Sequence, residues 1–220
     1  MLHRDLLANS SPYFSSLLDA SKTTPTSSPP STELFLSSTN PKVFRIAMDH
    51  LYLQRLPVFS FPTAGPLNEK RWDDWNDLLL DLSIFATRYN LQELADAVFD
   101  LFFNTHARFA HEDAYLLPDD ATLARACAGL PETSPMLRFL ADLVAQILHD
   151  EDVQKKGIDE ADLPKAFVQQ VKARVEERSK RGGELSVRFD ACEYHTHAVT
   201  AATAAMECER KLVREWVICG

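Results

Sequence analysis

Three helix starts in this chain are spelled alike, a Ser or Asn followed at once by Pro: Ser11-Pro12, Asn40-Pro41 and Ser134-Pro135. The short polar side chain accepts a bond from an early helical N–H, and proline suits the first helical position because its missing N–H would have no intrahelical partner there. Apolar residues at helical spacing follow each start. They are Phe14, Leu17 and Leu18 after the first, Leu137, Leu140, Val144 and Leu148 after the third. After the second, Val43, Ala47 and Leu51 form a seam that Phe44, Met48 and Tyr52 widen. A chain written this way must above all pack helices.

Further helices are predicted between these. A short stretch around residues 4–8 leads into the first start. From Asp77 on, Leu78, Leu82, Phe85, Ala86 and Tyr89 share one face, and Asn90 suits a left-handed C′ position. Leu91, Leu94, Ala95, Val98 and Phe102 share the face of the next helix, so the two form a hairpin. Pro118-Asp119-Asp120 opens a short helix stopped by Gly129 and Pro131. Leu163, Phe167, Val171 and Val175 recur every fourth residue before Gly182-Gly183, and an alanine-rich helix is expected over about 197–216.

Two segments read as strands. Glu33-Leu34-Phe35-Leu36 is a short apolar run bounded by turn formers, and Leu185-Ser186-Val187-Arg188-Phe189 alternates. The expected fold class is therefore α+β, predominantly α-helical. Residues 21–32 are rich in Ser, Thr and Pro and read as a flexible loop; residues 57–74 read as a second, long loop. Trp72 and Trp75, at the end of that loop, are expected to pin it onto the core.

Of the 220 residues 45% are hydrophobic, which excludes wholesale disorder. A net charge of -9 and a pI near 5.2 disfavour a nucleic-acid surface, which needs clustered Lys and Arg. Six glycines and the lack of a G-x-G-x-x-G or G-x-x-x-x-G-K-[ST] run disfavour a phosphate-cradling loop. No stretch approaches the roughly 18 apolar residues of a membrane span. Met1-Leu2-His3-Arg4-Asp5 does not open a signal peptide, and Cys127, Cys192, Cys208 and Cys219 are too sparse for a disulfide scaffold. An intracellular protein, of cytoplasm or nucleus, is expected.

One constellation suggests metal: Cys192-x-x-His195-x-His197, followed by Cys208. Thiolate and imidazole suit zinc, but the spacing fits no standard finger and a paired C-x-x-C element is missing. The reading adopted is a structural His/Cys cluster with no metal and no cofactor; the alternative is a zinc-stabilised or hydrolytic protein built on these four residues. Neither G-x-S-x-G nor H-E-x-x-H occurs. His106 and His111, near Glu112 and Asp113, read as solvated residues between helices, so no enzyme is expected.

The residues also carry a family resemblance. His3-Arg4-Asp5-Leu6-Leu7 with Ser10-Ser11-Pro12-Tyr13-Phe14 resembles an early element of the BTB/POZ domain. Glu33-Leu34-Phe35-Leu36, then Val43-Phe44 and Leu51-Tyr52, is similar to that family's third strand and the helix after it. Ala86, Tyr89, Leu91 and Leu94 are similar to its last helix pair. Thr133-Ser134-Pro135-Met136-Leu137-Arg138 and Cys192-Glu193-Tyr194-His195-Thr196-His197 resemble the C-terminal half of fungal BTB proteins.

The resemblance implies a BTB/POZ-like domain over residues 1–105, truncated at its N-terminus, and a helical extension over 106–220. It further implies a protein-interaction module that forms homodimers and serves as a ubiquitin-ligase adaptor or transcriptional co-regulator. The family's first two strands precede the His3 element. The 33–36 strand is therefore expected to lack its usual neighbours, which a misplaced start, a partner, or residues 185–189 would explain. The hydrophobic-x-Glu motif of many cullin-binding members is missing, since no acid lies between Asp19 and Glu33. Partner contacts are expected at Leu2, Leu6, Tyr13 and Phe14, the apolar groups nearest the face those strands would cover.

Overall fold

A computed structural model describes residues 4–20, 36, 39–56, 69–110, 117–149, 163–180 and 194. Every element among them is a helix: α1 (Arg4–Ser10), α2 (Pro12–Ala20), α3 (Pro41–Leu53), α4 (Glu69–Arg88), α5 (Gln92–Ala110), α6 (Asp120–Gly129), α7 (Pro135–His149) and α8 (Lys165–Lys180). None of these is long and apolar enough to cross a membrane.

The helix starts form as written. Ser11 Oγ accepts from the Phe14 N–H at 3.2 Å, Asn40 Oδ1 from Lys42 N–H at 2.9 Å, and Asp119 Oδ1 from Thr122 N–H at 2.7 Å. Each satisfies a donor that the first helical turn leaves without an intrahelical acceptor. The α4–α5 junction also forms as expected. Asn90 takes φ 51°, its N–H donates to Thr87 O at 3.2 Å, and the Leu91 N–H reaches back to Ala86 O at 2.8 Å. This crossed pair is a Schellman cap, with Ala86 and Leu91 buried beneath it.

The chain divides into two compact units, Met1–Val98 and Phe99–Gly220, with the boundary inside α5. In the first, α1 packs on α2 and α3 on α4. Its core holds Phe14 and Leu18 of α2, Ala47 and Leu51 of α3, and Leu79, Leu82 and Phe85 of α4. Trp72 and Trp75 are buried too, but as part of α4. Helix α4 thus begins at Glu69, inside the expected loop, because 72, 75, 79, 82 and 86 continue one helical stripe behind the charged residues of the opposite face.

In the second unit α7 packs on α8, and its middle is buried all round. Residues 139–146 are without exception inside, Asp142 and Gln146 included. Phe99, Phe102 and Phe103 of α5 meet α7 at Phe139, with ring centroids 6.1, 6.1 and 4.9 Å away. Leu163, Phe167 and Val171 are buried at the four-residue spacing the sequence displays.

The α+β expectation is overturned. No strand occurs among the described residues, whereas a BTB/POZ domain is built around a β-sheet. Glu33, Leu34, Phe35 and the 185–189 segment lie outside the described residues, and Leu36 is irregular. Those of the features suggesting a truncated, fungal-type BTB/POZ domain that fall on described residues are helix caps and amphipathic stripes. Any helix pair needs those, and here their apolar faces bury one another in place of a sheet.

Candidate interaction surface

The most exposed apolar side chains of the first unit come from α2 and the end of α3. Two residues set the pose of α2. Ser11, fully buried, accepts from Phe14 N–H and also donates its hydroxyl to the Tyr89 carbonyl at the end of α4. Arg4 of α1 donates to the Leu18 carbonyl at 2.6 Å, placing a cation at the negative end of the α2 dipole.

So held, α2 turns Phe14 (1% exposed) onto the Tyr89 ring, stacked at 5.4 Å and 11°. Tyr89 also meets Phe85 at 4.6 Å, and its hydroxyl lies 3.3 Å from Thr39 Oγ1. Tyr13 leans edge-on against Tyr89 at 5.3 Å and 70° yet stays 42% exposed. Leu17, one turn on, is 37% exposed. With Pro12 and Ser16 these form an exposed strip without charge, and the one charged residue of α2, Asp19, stands near its C-terminal end. Tyr52 and Leu53 are the other large exposed apolar residues described.

Of the four expected contact residues, Leu2 lies outside the described residues and Leu6 is half-buried on α1. Tyr13 and Phe14 are brought together on Tyr89, one facing solvent and the other the core. Leu17 joins them unexpectedly, although its place four residues after Tyr13 puts it on the same face.

Compared with protein-family models, curated proteins and solved structures, the chain matches none. The interaction-module reading drawn from the BTB/POZ resemblance, with its ligase-adaptor and co-regulator roles, finds no sheet among the described residues to stand on and falls with it. The zinc or hydrolytic alternative gains no support either. Cys192, His195, His197 and Cys208 lie outside the described residues, and no group of three His, Cys, Asp or Glu able to hold a metal occurs among those described.

Burial shifts three titratable groups, His106, His50 and Cys127. His106 is not solvated as expected but buried in α5, where its ring stacks on Phe102 at 3.9 Å and Nδ1–H donates to the Phe102 carbonyl at 2.9 Å. Burial pushes its pKa down to about 4, against a smaller raising effect of that bond. His50, buried in α3, is also pushed down by burial, with Glu93 pulling the other way. Cys127 is half-buried, and desolvation pushes its thiol up to about 11, an unreactive state.

Proposed function

We propose that this chain is a binding protein rather than a catalyst, and that the α2 strip of Tyr13 and Leu17 pairs with the same strip of a second copy. The observation that supports this reading is the lack of charge on an exposed apolar helix face in a chain that is a quarter charged residues. With a net charge of -9 two copies repel in bulk, so they approach best where neither presents an acid. A two-fold axis across α2 sets Tyr13 of each copy near Leu17 of the other, because residues four apart repeat along one face. Tyr13 also has an amphipathic ring already oriented by Tyr89, which lowers the ordering cost of association.

Sedimentation velocity over a concentration series of the full chain tests this. A reversible dimer is expected, with Tyr13→Asp or Leu17→Asp weakening it by about 2 kcal/mol, some thirtyfold in Kd. Tyr13→Phe should leave it nearly intact. Tyr13→Asp adds an acid to the first turn of α2, where the helix dipole favours it, so helicity should be retained. A chain that stays monomeric up to high concentration overturns the reading.

A further inference from the structure

A buried carboxylate in the middle of an apolar helix asks for a reason, and Asp142 of α7 is such a group. Unpaired there, it would be costly to bury. It is instead met from two sides. Tyr194, 52 residues on, donates its hydroxyl to Asp142 Oδ2 at 2.9 Å, and Arg174 Nε of α8 lies 3.6 Å from Oδ1. The Tyr194 ring is just as enclosed. Its centroid stands 5.4 Å from Phe139, 5.9 Å from Phe99 and 6.0 Å from Phe103, and the Arg138 guanidinium lies 5.7 Å from it.

We infer that α5 and α7 of the second unit form a phenol-selective socket, with an aromatic wall and a carboxylate floor, whose occupant is this chain's own Tyr194. The wall accepts any six-membered ring, since edge-on and tilted contacts at about 5–6 Å are favourable for phenylalanine and tyrosine alike. The floor discriminates. A ring without a hydroxyl leaves Asp142 short of a donor, and a site built to hydrogen-bond a hydroxyl rejects the analogue that lacks it. Tyr194 follows α8 in the chain, so filling the socket ties that part of the sequence to α7.

The test keeps the full chain. Tyr194→Ala vacates the socket, and p-cresol, the tyrosine side chain as a free molecule, is the probe, with toluene as the ring alone. Ligand-observed NMR and thermal shift should show p-cresol binding the variant at least about tenfold more tightly than toluene, the size of one hydrogen bond to a charged group. The wild-type protein, its socket filled, should bind neither there. Equal affinities, or equal binding to wild type, overturn the socket. Should Tyr194→Ala not fold, a double-mutant cycle of Tyr194→Phe with Asp142→Ala decides. Coupling of about tenfold in the unfolding equilibrium constant is expected, and additivity overturns the proposal.

Discussion

His106 is the residue whose chemistry most depends on where the chain puts it. An imidazole stacked on Phe102, its Nδ1–H spent on a backbone carbonyl and its ring buried, favours the neutral form. The unfolded chain takes up the proton near the ordinary pKa of 6.5, the folded one near 4. Stability from this group is therefore complete above 6.5 and is lost as pH falls from there toward 4. The loss amounts to something on the order of 3 kcal/mol. Urea titrations at pH 7 and pH 4.5 should show a shallower acid loss in His106→Phe than in wild type; identical acid limbs would refute the assignment. His50 works in the same direction, since burial lowers it too, while Glu93 tempers the effect. None of this is legible from the acids after His106. The readable signal is Val98, Phe102 and His106 at four-residue steps, a stripe hidden by the polar end of its last member.

At the scale of the elements, the caps divide the readable from the unreadable. Asn90 is legible as a left-handed residue because its short amide tolerates that region. Gln54 closes α3 in the same region, φ 52° and ψ 39°, with its N–H on the His50 carbonyl. Nothing in a glutamine announces this, and the proline at 57 carries the visible stop signal instead. A side chain with a Cβ is strained there, so Gln54→Gly should stabilise the protein by about 1 kcal/mol. The check is its denaturation midpoint; an unchanged or lowered midpoint would show the cap to be unstrained. Asp119→Ala supplies the contrast, removing an N-cap side chain that bonds Thr122 N–H, at a cost of about 1 kcal/mol. The start of α4 is hard to read for another reason. The charged residues among 69–77 mask a stripe that only the burial of Trp72 and Trp75 reveals.

Over the whole molecule, what stays uncompensated is charge. An excess of nine acids repels itself in the folded state more than in the expanded chain. Raising salt from about 10 mM to about 150 mM shortens the screening length from about 30 Å to about 8 Å and should raise the thermal midpoint at pH 7. A midpoint that falls over that range would mean that attractive pairs outweigh the net repulsion. Two pairs on α8 are of modest worth: the exposed Lys180 with Glu176 at 2.7 Å, and the half-buried Arg174 with Glu177 at 3.3 Å.

The sequence by itself determined where α2, α3, α6 and α7 begin and how α4 turns into α5. These are contests between a few neighbouring groups for a few backbone N–H and C=O bonds, and the competitors are all printed side by side. It also marked the apolar stripes. Only the tertiary structure decided what those stripes meet, that α7 is enclosed on every side over residues 139–146, and that Asp142 and Tyr194 find each other across 52 residues. Among the described residues it also put helices alone where the local motifs suggested a sheet. Burial is a property of what lies opposite, and a periodic pattern names the face of a helix without naming the surface that covers it.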